Sequence, residues 1–297
     1  MQQRCHKIGI AIGNLSLYYT LECGQTFRWK RTPGGSYFGI VGGDAFLIKQ
    51  HGNILEIAST ERNVGEWARK YFVLDVDLES ILHEIDRDEH IHEAIVSCGG
   101  LRILRQEPWE TLASYILSAN NNIPNIKRMV ENLSRRLGRI RGLEGYSGFT
   151  FPSPSAITKN KDTVSKCGLG FRCDYLVEAA ETIKEGREDL ERIGVLPYKE
   201  CREELMKFRG VGAKIADCVA LFSFGMYEAF PVDVWIRRTL RNLYFPDGGV
   251  GDKQIWHFAR QYFGRYCGYA QEYLYCHYRL KRARGLTSRT AGRAPTI

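Results

Sequence analysis

One lysine follows two closely spaced glycines in the segment Gly210-Val211-Gly212-Ala213-Lys214. Glycine adopts backbone dihedrals that other residues avoid, and it lets a backbone approach a ligand closely. The pattern predicts that one helix ends near Phe208 and that another begins near Ala213, with Lys214 in its first turn. The helix dipole disfavours an ammonium there, and burial would lower the pKa of the amine further. A neutral lysine is a nucleophile that can form a Schiff base.

Two helices joined by such a glycine turn form a helix–hairpin–helix pattern. Amides at a helix start suit a phosphate, so the pattern is typical of proteins that hold a DNA backbone without reading bases. A turn inside an ordinary helical bundle is the alternative, and Lys214 could then be a solvated lysine or a phosphate contact.

Asp233 is the candidate partner of Lys214, and it precedes a predicted helix that begins at Val234. An aspartate at this position is a good N-cap, and its carboxylate stays ionised. The same carboxylate could stabilise an oxocarbenium-like sugar or help to deprotonate the lysine. The two residues can act together only if their helices lie side by side.

Alternating or apolar runs between turn signals predict strands early in the chain. The predicted strands are Ile8–Ile12, Phe27–Lys30, Tyr37–Val41, Ala45–Gln50 and Ile54–Ile57. Helical periodicity or start signals then predict helices that begin at Leu78 and at Pro108. Further helices are predicted at 62–71, 123–137, 173–185, 200–208, 214–225, 234–244, 252–263 and 270–284. Residues 142–155 are predicted to form a loop. The predicted fold class is α+β, with an antiparallel β-sheet domain at 1–93 and a mainly helical domain at 94–297. Residues 285–297 are predicted to be frayed.

Charge is distributed unevenly along the 297 residues, whose net charge is +8. Residues 1–93 carry 10 Lys and Arg against 13 Asp and Glu, whereas residues 94–297 carry 32 against 21. A basic helical part suits a polyanion such as DNA, although ribosomes, membranes and acidic proteins also attract basic surfaces.

The cysteines and the apolar runs argue against several other classes of protein. Nine cysteines occur with no Cys-x-x-Cys pair, which disfavours a zinc site or an iron–sulfur cluster and favours free thiols. No apolar run reaches the length of roughly 20 residues that a membrane span needs, and the N-terminus lacks a signal-peptide pattern. We expect an intracellular protein that is a monomer, is not bound to a membrane and needs no cofactor.

Several motifs together resemble a known family. Leu205 to Asp233 resembles the hairpin and Gly/Pro-Asp loop of the helix–hairpin–helix (HhH-GPD) glycosylase superfamily, in which a lysine at this position marks bifunctional glycosylase/lyases. Four more segments are similar to the 8-oxoguanine DNA glycosylase branch: Cys23-Gly-Gln-Thr-Phe-Arg-Trp29, Leu117-Ser-Ala-Asn-Asn-Asn-Ile123, Leu169-Gly-Phe-Arg172 and Gly268-Tyr-Ala-Gln-Glu-Tyr-Leu-Tyr275. The resemblance implies excision of 8-oxoguanine from duplex DNA in base excision repair, with Lys214 as nucleophile and Asp233 beside it.

The resemblance also implies residues that bind the extruded base. The carbonyl of Gly24 would accept a hydrogen bond from N7–H of 8-oxoguanine, a proton that guanine lacks. Cys218 and Tyr275 would sandwich the base, and Gln271 would bind its pairing edge. Taken singly, each residue has a plainer interpretation, because Gly24 could form a turn and the others could belong to the core.

Further residues are implied to hold the DNA itself. Asn120 would fill the gap in the base stack, Phe171 would wedge between bases, and Arg172 would bond the orphaned cytosine. Amides at Val211 and its neighbours Gly210 and Gly212 would hold a phosphate, with a monovalent cation as a candidate at 210–212. No metal is expected in the chemistry.

Three positions depart from the family pattern. Asn125 stands where relatives that require cytosine carry arginine, Phe171 replaces tyrosine, and Trp235 replaces a common histidine. We therefore predict a weak preference for cytosine opposite the lesion. Other functions that fit the sequence are a glycosylase for another damaged purine, a non-catalytic DNA-binding module using the same hairpin, and a basic scaffold that binds RNA or protein.

Overall fold

The structure is a computed structural model that describes residues 5–246 and 248–283. The frayed segment predicted at 285–297 lies outside the described residues. Within the described part of the chain, no helix combines the length and the apolar composition needed to cross a bilayer.

An antiparallel sheet forms the N-terminal part, as the sequence predicts. Its strands are β1 (His6–Ala11), β2 (Lys30–Arg31), β3 (Tyr37–Val41), β4 (Asp44–His51) and β5 (Ile54–Ser59). They pair in the order β1-β5-β4-β3-β2, and every neighbouring pair is antiparallel. A glycine turn joins β3 to β4, with Gly42 and Gly43 both at positive φ.

The predicted strand at Phe27–Lys30 is wrong for most of its length, because strand pairing begins only at Lys30. Aromatic contacts hold the preceding residues instead. The ring of Phe27 packs edge-on against Tyr115, with centroids 5.7 Å apart, and Trp29 Nε1 donates to the Tyr71 hydroxyl at 2.8 Å. This segment therefore crosses from the sheet to the helices.

Helices make up most of the remaining structure. The α-helices of the described residues are α1 (Leu17–Glu22), α2 (Val64–Tyr71), α3 (Leu78–Ile85), α4 (Glu89–Ser97), α5 (Pro108–Leu117), α6 (Ile123–Leu137), α7 (Pro154–Lys159), α8 (Lys161–Ser165), α9 (Arg172–Lys184), α10 (Leu190–Gly194), α11 (Tyr198–Leu205), α12 (Ala213–Val219), α13 (Val234–Tyr244), α14 (Asp252–Phe263) and α15 (Cys267–Ala283). A π-helix at Ala220–Phe224 continues α12, and a 3₁₀ turn at Gly264–Tyr266 precedes α15.

The predicted loop at 142–155 instead contains part of a β-hairpin, formed by β6 (Ile140–Leu143) and β7 (Tyr146–Phe149). Its two-residue turn has Glu144 and Gly145 at φ of 51° and 81°, as a tight hairpin requires. A side chain at Gly148 would lie 3.0 Å from Ile40, so the hairpin packs closely on the sheet.

Two main hydrophobic cores fill the molecule. One lies under the sheet and includes Phe46, Ile48 and Leu55, and the other lies among the helices. Cys23 and Phe27 belong to the helical core although they precede β2. The turn between α1 and β2 thereby brings Gly24 to the helices. The domain division at 93/94 stays a prediction.

Candidate active site

The glycine turn between α11 and α12 has the predicted helix–hairpin–helix form. Gly210 has φ of +82°, and a side chain there would overlap the ring of Tyr175. Gly212 is extended, with φ of −92° and ψ of −179°, and caps α12. The amide of Val211 already donates to the Phe208 carbonyl at 3.0 Å, so a phosphate at this turn would have to bind other amides. A monovalent cation at 210–212 stays a prediction.

A buried carboxylate fixes α11 against α12. Asp217 accepts from the Tyr198 hydroxyl at 2.7 Å and from Arg202 Nε at 2.6 Å. Burial raises the pKa of Asp217 to about 6, and the charge of Arg202 opposes that rise. These contacts fix α12, which carries Lys214 three residues before Asp217, against α11.

Lys214 lies in that first turn, as predicted, and points toward the end of α5. Its Nζ donates to Ser118 Oγ at 3.1 Å and lies 5.1 Å from the ring centroid of Tyr115. Tyr115 is buried and Ser118 caps α5, so both partners are held by the fold. The contacts with Ser118 and Tyr115 therefore fix the position of the Lys214 amine, which does not move freely in solvent.

Asp233 is the predicted N-cap of α13. Its Oδ1 accepts from the amide of Ile236 at 2.7 Å. Burial raises the pKa of Asp233, whereas the Ile236 bond and the positive charge of Lys214 oppose the rise. The backbone amide of Trp235 also hydrogen-bonds to this carboxylate and lowers its pKa.

Lys214 and Asp233 line the same cavity of about 300 Å³, so the structure brings the two predicted residues together. The walls come from the turn after α1 and from α5, α6, α12, α13 and α15. The lining residues are Gly24, Gln25, Phe27, Tyr115, Ser118, Asn121, Asn122, Ile123, Pro124, Ile126, Lys214, Cys218, Phe222, Pro231, Asp233, Trp235, Gln271, Glu272, Tyr275 and Arg279.

All four predicted base-binding residues line this cavity. Gly24 has φ of +113°, and a side chain there would meet Ile123 at 2.8 Å. Burial raises the pKa of the Cys218 thiol to about 12, so Cys218 presents a neutral sulfur beside Lys214. Gln271 is buried, and its Oε1 has no hydrogen-bond partner among the described residues. This oxygen can therefore accept a hydrogen bond from a ligand in the cavity.

The residues predicted to fill the gap in the base stack and to contact the orphaned cytosine lie outside the cavity, in the turn after α5 and at the start of α9. Asn120 is exposed and left-handed, with φ of +47°. Phe171 is 51% exposed, and the guanidinium of Arg172 lies 4.3 Å from its ring centroid. Arg172 also donates to the carbonyls of Ala119 at 2.7 Å and Asn120 at 3.0 Å. Arg172 thus joins the start of α9 to the turn after α5, and its bond to cytosine stays a prediction.

Several cavity residues escaped the sequence predictions. Ser118, Tyr115 and Arg279 reach the site only through tertiary packing, and their spacing carries no signal. Glu272 lies beside Gln271 on α15, and burial raises its pKa to about 7. The only signal in the sequence that could have predicted Glu272 as a cavity residue is an acidic side chain on an otherwise apolar helix face. Among the described residues, no group of His, Cys, Asp and Glu could hold a metal ion.

Comparisons with known proteins agree with this geometry. The family model "8-oxoguanine DNA glycosylase, N-terminal domain" matches residues 7–112, and "HhH-GPD superfamily base excision DNA repair protein" matches residues 113–263. The chain belongs to the HhH-GPD superfamily of base excision DNA repair proteins. Its N-terminal match places it, within that superfamily, with the 8-oxoguanine DNA glycosylases.

Individual relatives span most of the chain. A probable N-glycosylase/DNA lyase of Methanothermobacter thermautotrophicus is 29% identical, covering 91% of this chain and 95% of its own length. The N-glycosylase/DNA lyase of Saccharomyces cerevisiae is 30% identical, covering 82% and 72%. The Clostridium acetobutylicum 8-oxoguanine glycosylase/lyase, solved with double-stranded DNA containing cytosine opposite 8-oxoguanine, is 37% identical with a TM-score of 0.85, covering 90% of this chain and 93% of its own.

Proposed function

We propose that this protein is a bifunctional DNA glycosylase and AP lyase that excises 8-oxoguanine from duplex DNA in base excision repair. The observation that carries the proposal is the cavity in which Lys214 and Asp233 meet the unpaired acceptor of Gln271. The size of the cavity suits one extruded base with its sugar, and extrusion is required because C1′ is inaccessible within the duplex.

The chemistry begins at the amine of Lys214. Nζ bonds to C1′ as the C1′–N9 bond breaks, and the electron pair of that bond leaves with the base. The amine loses a proton to the carboxylate of Asp233, and the departing base takes up a proton. Asp233 also stabilises the positive charge that develops on the sugar.

Opening of the sugar ring completes a Schiff base between Lys214 and C1′, with a proton taken up by O4′. Loss of a C2′ proton then breaks the C3′–O3′ bond and expels the 3′ phosphate, which is β-elimination. Hydrolysis of the imine frees Lys214 for the next turnover.

Recognition rests on polar groups that line the cavity. The carbonyl of Gly24 accepts no hydrogen bond from the described residues, so it can accept N7–H of 8-oxoguanine. Guanine would leave that carbonyl facing an unprotonated N7, which strongly disfavours the normal base. Gln271 binds the pairing edge, while Cys218 and Tyr275 enclose the two faces of the ring.

The DNA is held mainly through its backbone by the hairpin at 210–212, with Asn120, Phe171 and Arg172 at the gap. The protein acts on DNA inside the cell, in the nucleoid or the nucleus, and it acts as a monomer. No cofactor takes part in the proposed reaction.

Borohydride trapping tests the proposal. Wild type should form a covalent adduct with duplexes that contain 8-oxoguanine, and Lys214→Gln should form none while still binding the DNA. Lys207→Gln is the matched control, because its exposed Nζ pairs with Glu204 rather than lining the cavity. No adduct with wild type, together with release of an alkylated purine, would favour a glycosylase for another damaged purine. Loss of affinity alone in Lys214→Gln would favour a non-catalytic DNA-binding module.

A further inference from the structure

One arginine of α15 reaches across the cavity to the turn after α1. Arg279 Nη1 donates to the carbonyl of Glu22 at 2.8 Å and to that of Cys23 at 2.6 Å. These are the two carbonyls that immediately precede Gly24. Bonds from a guanidinium are charge-assisted and stronger than those between neutral groups. The upstream side of the turn is therefore tied to α15.

The downstream side of the turn is tied to a different part of the protein. Gln25 Nε2 donates to the Arg102 carbonyl at 2.8 Å, and its Oε1 accepts from the Leu104 amide at 2.8 Å. Gln25 is 1% exposed, so this anchor belongs to the core. Gly24 thus lies between a core anchor on one side and Arg279 on the other.

Gly24 needs both anchors because its own backbone restricts it little. Its φ of +113° lies in a region that glycine enters freely, so its peptide can rotate unless its neighbours hold it. A side chain at Gly24 would lie 3.3 Å from Arg279 Nη1 and 3.6 Å from Tyr275 Cε1. The Gly24 carbonyl therefore lies between two fixed neighbours, Gln25 in the core and the Cys23 peptide, which is bonded to Arg279 of α15, the same helix that carries Gln271.

We propose that Arg279 is a positioning residue that fixes the Gly24 carbonyl for N7–H and thereby sets the discrimination between 8-oxoguanine and guanine. The inference rests on the proposed function. Arg279 makes no hydrogen bond to Lys214 or Asp233, whose partners lie on α5 and α13. Its loss should therefore impair recognition of the base more than chemistry at the sugar.

The test compares two reactions of the same variants. Arg279→Met keeps much of the side-chain stem but has no donors, and Arg279→Lys keeps the charge with one ammonium. For Arg279→Met we expect single-turnover excision of 8-oxoguanine to fall at least about 10-fold, because the variant loses both charge-assisted hydrogen bonds and the loss of one alone has an effect of about this size. Strand cleavage at a preformed abasic site, which has no base to recognise, should stay within about 2-fold of wild type. Arg279→Lys should recover part of the excision rate.

Binding gives a second measurement in the Lys214→Gln background, where no base is released. Adding Arg279→Met should lower the ratio of affinities for 8-oxoguanine and guanine duplexes about 10-fold. Arg265→Met is the matched control, because Arg265 pairs with Glu84 at an exposed site away from the cavity and should leave that ratio unchanged.

The possible outcomes distinguish a failure of the positioning role of Arg279 from a failure of the proposed function. Unchanged excision and an unchanged affinity ratio in Arg279→Met would overturn the positioning role. Parallel loss of excision and abasic-site cleavage would also overturn it, because that result would mean general damage to the site. A wild type that shows no preference for 8-oxoguanine would instead refute the proposed function.

Discussion

Asp233 caps α13 with the same carboxylate that lines the cavity with Lys214. Asparagine caps a helix about as well as aspartate but carries no charge. We expect Asp233→Asn to keep the thermal stability of wild type and to excise 8-oxoguanine at least about 100-fold more slowly, as expected for a lost acid–base group. Thermal unfolding and single-turnover kinetics would check both. A large loss of stability would show that capping dominates.

The pH profile of excision offers a second prediction about Asp233. Burial raises its pKa above the ordinary aspartate value of 3.8, and the proposed reaction requires the carboxylate form. The acid limb of the rate should therefore lie at higher pH than an exposed aspartate would give, with activity lost as the pH falls through the raised pKa. This limb should disappear in Asp233→Asn. An acid limb that persists unchanged in that variant would assign it to another group.

The hydrogen bonding of Asn125 leads to a prediction about which base the protein prefers opposite the lesion. Its Nδ2 donates to Asn121 Oδ1 at 2.7 Å, so its amide is already bonded to the residue one turn earlier. An asparagine held in this way cannot make the bidentate contact that arginine makes. We expect wild-type excision opposite adenine to stay within roughly 100-fold of that opposite cytosine, and Asn125→Arg to raise the preference for cytosine about 10-fold. Rates with each of the four opposite bases would measure this, and a larger drop opposite adenine in wild type would contradict it.

The residues that the sequence predicted are those that belong to local motifs. Lys214 follows a glycine turn and Asp233 precedes a helix, so their neighbours along the chain indicate their roles. Ser118 is 96 positions from Lys214, and Arg279 is 256 positions from Cys23. Partners at such separations are created by packing, which the spacing of residues in one sequence does not reveal.

At the scale of elements, the hairpin between α11 and α12 depends on one glycine more than on the other. Gly210→Ala would place a methyl group in a left-handed backbone and against the ring of Tyr175. We expect it to lower the free energy of unfolding by roughly 2–4 kcal/mol and to weaken DNA binding. Gly212→Ala is the control, because its backbone is extended and a side chain there would meet nothing within 4 Å. Urea unfolding and duplex binding should separate the two variants, and equal effects would refute this account.

Helices with strong periodicity were predicted well, and short elements were not. The bounds of α6, α13 and α14 match the predictions at 123–137, 234–244 and 252–263. The hairpin of β6 and β7 was missed because Gly142, Ser147 and Gly148 have low strand propensity. Packing of Gly148 against the sheet outweighs that propensity, and such packing is absent from the local pattern.

At the scale of the whole molecule, Arg28 joins the sheet to the helical part. Its Nε lies 3.4 Å from Glu110 Oε1 on α5, and its guanidinium also donates to Ser134 on α6 and to the carbonyl of Phe149 on β7. Burial raises the pKa of Glu110 to about 7, while the charge of Arg28 opposes that rise. The positive charge of Arg28 therefore lies next to the buried carboxyl of Glu110, at the point where α5, α6 and β7 meet.

Removal of Arg28 should destabilise the protein more at high pH than at low pH. The pKa of Glu110 is about 7 in the folded protein and 4.5 in the unfolded chain. The protonated Glu110 side chain therefore contributes its full stabilisation of the fold below pH 4.5, and this contribution is lost as the pH rises through 7. Without Arg28 the folded pKa would rise further, so this loss would grow at alkaline pH. We expect Arg28→Met to lower the free energy of unfolding by about 3 kcal/mol near pH 8 and by about half of that near pH 5.5, where Glu110 is protonated. Adding Glu110→Gln should remove the pH-dependent part, as urea unfolding at both pH values would show. Equal destabilisation at both pH values in Arg28→Met would mean that the bonds to Ser134 and Phe149, rather than the charge of Glu110, hold the two parts together.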